Sequence, residues 1–379
     1  MIYFDSAATS YRRPREVGRA VVNALNTMGN GYRGTHGAAL NTARTIHETR
    51  ELLSEMFNVG GVDRVAFTHN ATASLNMAIK GVLSPSDHVI TSVLEHNSVL
   101  RPLYEMEECG VELYITACDE NGCLIYEELE SAVKSNTKAL VCTHASNLTG
   151  NLTDIRRLGR FCKERGVIFI VDASQTAGII PIDMEKDNID ILCFSGHKGL
   201  MGPQGTGAVC VRRGVEVKPL LSGGSGFKTF SKSHPDDMPS RLEAGTLNGH
   251  GIAGLNAALK YIKKAGIGSI GKKEQTLAKE FYQKVKELPK IKIYGDFSSF
   301  DRAPTVALNL GSTDSNEICS RLEADYGICV RGGFHCAPLM HKALGTENQG
   351  AVRFSFSHYN TLTELKTAID ALTELVCEY

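Results

Sequence analysis

Short apolar runs alternate with amphipathic stretches through the middle of this 379-residue chain, and that alternation constrains the fold more than any other feature. RVAFTHN precedes a helical ATASLNMAIKGVL, DHVITSVLE precedes SVLRPLYEMEECG, and VELYITA closes that unit. KALVCTHASN leads into the helical IRRLGRFCKERG, and VIFIVDASQ and ILCFSGHKG follow at short spacing. Strands separated by helices read as an α/β protein with a mostly parallel central sheet. VIFIV and ILCF are continuous apolar runs, as strands are when both sheet faces are covered.

The pattern changes after about Gly251. GIAGLNAALKYIKKAGIGSIGKKEQTLAKEFYQKVKELP has helical apolar spacing with two glycine interruptions. Shorter strands follow (IKIYG, TVALNLG, ICVRGG, AVRFSFS), then a terminal helix, TLTELKTAIDALTELVCEY. We therefore expect a large domain over residues 12–255 and a small α+β domain made of residues 1–11 plus 256–379. The cleft between them is the expected ligand site.

Composition narrows the function. Lys plus Arg is 41 and Asp plus Glu is 42, a net charge of −1, which lacks the positive excess of a nucleic-acid protein. No apolar run reaches about 18 residues, so no membrane span is expected. MIYFDSAATSYRRP has no basic n-region and does not read as a signal peptide. The eleven Cys include no CxxC pair, which points to reduced thiols in the cytoplasm and away from a bound metal. Cys142, Cys193 and Cys210, set in apolar runs, read as small buried hydrophobes.

Three positions point to chemistry. Lys198 follows the strand ILCF in Ser195-Gly196-His197-Lys198-Gly199, where a desolvated amine can act as a nucleophile; the plain alternative is a solvated loop lysine. Asp172 ends VIFIV, where it can pair with a pyridinium nitrogen or simply cap a turn. Ala71 and Thr72 start a helix after FTHN, where backbone N–H groups bind phosphate, or where Asn70 or Thr72 merely caps. Together they suit pyridoxal 5′-phosphate, which needs an amine, a nitrogen partner and a phosphate cup.

At full length the chain resembles the class V aminotransferase-like enzymes of pyridoxal-phosphate fold type I, and within them cysteine desulfurases and selenocysteine lyases. YFDSAATS, GYRGTHG, FTHNATASLN, LEHNS, HASNLTG, VDASQTAG, FSGHKG, RLEAGTLN and RGGFHCAP occur in the family's order. The resemblance implies that Lys198 holds the cofactor covalently, Asp172 meets its ring nitrogen, Gln175 its phenolic oxygen, and His96 its ring face. It places Ala71, Thr72, Ser195 and His197 at the phosphate and Asn147 near substrate and cofactor oxygen. Arg353 matches the arginine that clamps the substrate α-carboxylate, with Arg331 and Arg33 as further candidates; read without the resemblance, Arg353 is a strand-edge surface charge.

Cys336 decides the reaction type. A loop Cys beside His335 has a route to a reactive thiolate, against the alternative of an inert buried thiol. The resemblance implies a cysteine desulfurase that converts L-cysteine to L-alanine and leaves a persulfide on Cys336, with Lys198 and His96 moving protons. Selenocysteine lyase, cysteine-sulfinate desulfinase, aminotransferase or epimerase activity and a non-catalytic sulfur-relay scaffold stand as alternatives. The pattern departs from relatives at Phe334, at the shortened HCAP, and at Asn70 and Ala71 of the phosphate cup. Gly245 and Thr246 of RLEAGTLN would reach a partner subunit's phosphate, which implies a homodimer, and a sulfur-acceptor protein is the further partner expected. The plain alternative is that Thr246 caps the next helix.

Overall fold

The computed structural model describes residues 1–32, 34–299 and 301–379. Its elements run β1 (Ile2–Tyr3), α1 (Arg15–Thr27), α2 (Gly37–Phe57), β2 (Val65–Thr68), α3 (Ala71–Val82), β3 (His88–Ser92), α4 (Asn97–Glu108), β4 (Glu112–Thr116), α5 (Tyr126–Ser131) and β5 (Thr137–Thr143). They continue as α6 (Ile155–Arg165), β6 (Ile168–Asp172), β7 (Ile191–Ser195), β8 (Gly207–Val211), α7 (Gly249–Ala265) and α8 (Ile267–Val285). The last are β9 (Ile291–Tyr294), β10 (Thr305–Leu310), α9 (Ser315–Tyr326), β11 (Ile328–Cys329), α10 (Pro338–Ala343), β12 (Val352–Ser355) and α11 (Leu362–Glu378).

Seven strands form the central sheet in the order β2-β8-β7-β6-β5-β3-β4. From β7 to β4 the neighbours are parallel; β8 is antiparallel to both β7 and β2. Two reversals cancel, so β2 points the same way as β7. Alternate residues of each strand enter opposite apolar clusters. Phe67, Leu140, Cys142, Phe169, Val171, Leu192 and Phe194 face one cluster. Ala66, Ala139, Val141, Ile170, Ile191 and Cys193 face the other. That is why VIFIV and ILCF show no polar alternation. Strand β8 has no helix between it and β7, so the strand–helix rhythm does not disclose it.

A second core surrounds the antiparallel sheet β12-β10-β9, covered by α8, α9 and α11. ICVRGG, expected as a strand of this part, pairs only through Ile328 and Cys329, and its partner is β1. The glycines that follow turn the chain away, leaving Arg331 bridged to Arg353. The long helical region breaks at Gly266, whose φ of 83° belongs to glycine's range, into α7 and α8. Helix α7 continues unbroken past residue 255, and its Leu259 and Ile262 join the larger core. The first ten residues touch both cores: Phe4 lies in the smaller, whereas Ser10 donates to the carbonyl oxygens of His197 (3.0 Å) and Lys198 (2.7 Å). Among the described residues no helix is long and apolar enough to cross a membrane.

Helix α8 closes directly on the large sheet's side. A Cβ at Gly271 would stand 2.2 Å from the Ile179 carbonyl oxygen, on the turn beyond Gln175. Gly271→Ala is therefore expected to destabilise the protein by about 1–3 kcal/mol, despite the better helix propensity of alanine. The measurement is the midpoint of urea unfolding. An unchanged midpoint would show that this contact opens without cost.

Candidate active site

Parallel strands leave their carboxyl ends along one edge, and a crevice opens where successive strands depart in opposite directions. Here that point lies between β3 and β5. His96 follows β3, Asn147 follows β5, Asp172 ends β6 and Ser195 ends β7. Because β2 runs with β7, the start of α3 at Ala71 joins the same edge. These residues, with Thr72, Gln175, His197 and Lys198, line one cavity of about 210 Å³.

One end of the cavity is formed by the start of α3. Asn70 Oδ1 caps α3 by accepting Ala73 N–H, and Ser195 Oγ accepts Ala71 N–H, each at 2.9 Å. Neither takes the N–H of Thr72. The plain reading of Asn70 as a cap is correct, and the helix start it caps still faces the cavity. Thr72 Oγ1 lies 2.8 Å from Ser98 Oγ, which lies 2.9 Å from His96 Nδ1. His197 Nδ1 lies 3.0 Å from Thr9 Oγ1, and burial lowers its pKa to about 4, so it is neutral.

Lys198 is not a solvated lysine. Burial lowers its pKa to about 8, the charges of Arg353 and Arg331 push the same way, and Asp172 and Asp5 oppose them. Asp172 is 4% exposed, and its Oδ1 accepts both the N–H (2.9 Å) and the hydroxyl of Ser174. Gln175 Nε2 donates to Ala7 O at 3.2 Å. His96 has its pKa lowered to about 4, first by burial and then by Lys198. Its Nδ1 accepts Ser98 N–H at 3.0 Å, so the ring proton sits on Nε2. Beside it Glu95 is fully buried, accepting from Ser92 Oγ (2.6 Å) and Thr143 N (3.1 Å), and burial raises its pKa to about 8.

The Cys336 thiol is exposed, which removes the reading as an inert buried cysteine. Its loop is anchored by backbone carbonyls: Asn147 Nδ2 donates to His335 O at 2.7 Å and Asn97 N–H to Cys336 O at 2.8 Å. The expectation that His335 activates the thiol fails. Both ring nitrogens of His335 are engaged elsewhere, Nε2 at Arg331 O (3.1 Å) and Nδ1 at His341 Nε2 (3.5 Å). Sequence adjacency places the two side chains on opposite sides of the loop.

Arg353 is 1% exposed, so it is no surface charge. Its Nη2 meets Asp5 Oδ1 at 2.7 Å and its Nη1 donates to Asn147 O at 2.8 Å. Among the described residues its Nε and Asn147 Oδ1 are buried without partners. Arg331 exchanges backbone hydrogen bonds with Arg353, at 2.8 and 3.3 Å. Arg33 lies outside the described residues. Gly245 and Thr246 are exposed and line a different cavity, of about 640 Å³, between residues 28–32 and the start of α7. Sequence reasoning did not single out Ser98, Ser174, Glu95, Thr9 or Asp5, although LEHNS, VDASQ and YFDSAATS contain them.

The donor set fits pyridoxal phosphate: a helix start with hydroxyls at one end, a buried carboxylate, and a depressed lysine amine in one small cavity. Residues 2–367 match the family described as Aminotransferase class-V. The chain belongs to this family. Its members depend on pyridoxal phosphate. A probable cysteine desulfurase of Methanothermobacter thermautotrophicus is 32% identical, with 99% of this chain and 94% of that protein covered. One from Pyrococcus abyssi is 34% identical over the same shares. The solved apo cysteine desulfurase of Thermococcus onnurineus superposes with a TM-score of 0.93 at 32% identity, covering 100% of this chain and 95% of the other.

Attachment of the cofactor aldehyde needs an unprotonated amine. With its pKa lowered to about 8, Lys198 becomes available well before a free lysine does. Borohydride fixation of pyridoxal phosphate on Lys198 should therefore rise with pH through a midpoint of about 8. Lys198→Ala should stay colourless. A midpoint of about 10, the value of an ordinary lysine, would show that burial does not govern this amine.

Proposed function

We propose that this chain is a cysteine desulfurase that converts L-cysteine to L-alanine and leaves the sulfur as a persulfide on Cys336. The observation that carries the reading is an exposed thiol on a loop tied by Asn97 and Asn147 to the cavity that contains Lys198. The relatives named cysteine desulfurases support it over nearly the full chain.

When bound, pyridoxal phosphate supplies an electron sink for charge developing at the substrate Cα. Asp172 would face the ring nitrogen, and Gln175 the phenolic oxygen. Thr72, Ser195, His197 and the start of α3 would hold the phosphate without net positive charge. Arg353, whose Nη2 and Nη1 are oriented by Asp5 and Asn147 and each keep a further N–H, would hold the substrate carboxylate, and Arg331 adds its charge. Asn147 Oδ1, its amide fixed by the bond to His335 O, accepts from a protonated group of the substrate or cofactor. Lys198, whose amine is half uncharged at a pH of about 8, takes the Cα proton and delivers protons to the product. His96 would cover the ring face and offer Nε2–H. Cys336 Sγ bonds to the substrate sulfur as the carbon–sulfur bond breaks, so cysteine and thiol become alanine and persulfide.

Selenocysteine lyase and desulfinase chemistry have less need of an exposed, anchored thiol, and a scaffold has no use for a depressed lysine amine. The exposed persulfide suits transfer to an acceptor protein, and the cysteine pattern suits the cytoplasm. The division into domains over residues 12–255 and 1–11 plus 256–379 belongs to the same reading, although α7 spans that border. Purified enzyme given cysteine should release equal alanine and sulfide in the presence of a thiol reductant; selenocysteine and cysteine sulfinate in parallel rank the alternatives. Cys336→Ala should stay yellow and lose persulfide formation to background. Undiminished turnover would show that another group accepts the sulfur.

The second part of the reading is a homodimer in which Gly245 and Thr246 complete the partner's phosphate cup. Their absence from their own subunit's cavity supports it, as does Ala71, which provides no hydroxyl. Thr246→Ala should weaken cofactor retention roughly 10- to 100-fold, the worth of one hydrogen bond to a charged group. Added pyridoxal phosphate should shift subunits toward dimer. Sedimentation as a monomer with its cofactor still bound would overturn it.

A further inference from the structure

The ring of His335 faces away from the thiol beside it and enters a closed chain of contacts. His335 Nε2 meets Arg331 O at 3.1 Å, its Nδ1 meets His341 Nε2 at 3.5 Å, and His341 Nδ1 meets Thr346 Oγ1 at 2.7 Å. The two imidazoles lie nearly coplanar, 12° apart with centroids at 5.7 Å, which is edge-to-edge geometry and not face stacking. His335, His341 and Thr346 are each at most 2% exposed.

One neutral arrangement of protons satisfies the whole chain. A carbonyl oxygen cannot donate, so His335 Nε2 carries its proton and Nδ1 is left as an acceptor. In this arrangement His341 donates from Nε2, for which the Phe334 carbonyl is a second acceptor, and its Nδ1 accepts from the Thr346 hydroxyl. Burial keeps both rings uncharged, holding His341 at about 4 and His335 well below the usual imidazole range. Titratable and charged groups facing the pair include Arg331 and Arg353, whose charges disfavour protonation of His335 further.

The backbone shows what this chain of contacts holds. His335 and Cys336 are consecutive non-glycine residues in the left-handed region, with φ of 50° and 55°. Such a conformation persists only where its surroundings over-determine it. Asn147 and Asn97 hold the carbonyls of these two residues from the large-sheet side. Helix α10 brings His341 back beneath the loop, and Thr346 follows at the next turn, whose N–H donates to His341 O at 2.9 Å.

We propose that His341, locked by Thr346 and acting through the His335 ring, is a positioning residue that holds the strained His335–Cys336 backbone so that the Cys336 thiol is presented to the substrate sulfur. The inference rests on the desulfurase reading for its consequence and on the hydrogen-bond chain for its cause. His335 and His341 act as neutral struts. Neither is the base for the thiol, because no ring nitrogen is left over. A one-ångström error in the position of a reacting atom costs up to about a hundredfold in rate, and that is the scale of effect expected here.

The test compares His341→Leu, His341→Gln and Thr346→Val in the cofactor-loaded enzyme. Gln places an amide nitrogen near the position of Nε2 and can still donate to His335; Leu cannot. His341→Leu should keep its cofactor and its KM for cysteine while kcat for persulfide formation falls about 10- to 100-fold. Amide hydrogen exchange over residues 332–337 should accelerate in the same variant. His341→Gln should restore both readouts to within about threefold of wild type, and Thr346→Val should lie between. Unchanged loop exchange and kcat in folded His341→Leu, or a Gln variant as impaired as Leu, would overturn the proposal. Should His341→Leu fail to fold, Thr346→Val decides by the same two measurements. Wild-type enzyme that makes no alanine from cysteine would defeat the desulfurase reading alone, since loop exchange tests the strut without turnover.

Discussion

Lys198 is held where it cannot be fully hydrated, and the chemistry of the site depends on that exclusion of water. An amine at the end of β7 would ordinarily reach solvent, as most lysines do. Here the carbonyl of Lys198 is pinned by the Ser10 hydroxyl and that of His197 by the Ser10 N–H, so the turn cannot swing outward. The charges of Arg353 and Arg331 add to burial in lowering its pKa, and Asp172 on the neighbouring strand limits the shift. The result is an amine balanced near physiological pH, neither a permanent cation nor a group stripped of its proton affinity.

The N-terminal segment works as a strap across the site. Within a few residues, Asp5 pairs with Arg353, Ala7 O accepts from Gln175, Thr9 meets His197, and Ser10 holds the Lys198 turn. Residues before it pair with β11 and enter the smaller core. One extended stretch therefore ties the edge of the large sheet that bears Lys198 to Arg353 on β12. Helix α8, whose Gly271 allows backbone contact with Ile179, closes the same junction from another direction. The relative position of Arg353 and Lys198 is thus set by backbone hydrogen bonds and close packing, which tolerate little displacement.

The thiol loop answers a different requirement. In the proposed reaction Cys336 has to be exposed to meet both substrate and acceptor, yet a nucleophile on a mobile loop is rarely in place. Burial of the neighbouring His335 reconciles the two demands: adjacent side chains leave the loop on opposite sides, one becoming an anchor and the other remaining accessible. The carbonyls of both residues are tied to the turns after β3 and β5 that also line the cofactor cavity.

Much of this is legible in the amino-acid sequence. Continuous apolar strands with helical crossovers determine a parallel sheet, because only a sheet covered on both faces can bury such strands. Motifs at strand ends then place Asp172, Lys198, His96 and Asn147 at one edge, since parallel strands all end on the same side. Local sequence also offered Asn70 as one of two caps, and two glycine interruptions in the long helical region, of which Gly266 makes the break. What the tertiary structure decided are the features that join distant segments: the inward engagement of Arg353 by Asp5, the unpaired Asn147 Oδ1, the strap, and the direction of the His335 ring. Adjacency to Cys336 suggested a base, whereas contacts with Arg331, His341 and Thr346 made a strut. Sequence determines which groups are available and which face of an element they share; the partner each one meets depends on long-range packing, which no local pattern encodes.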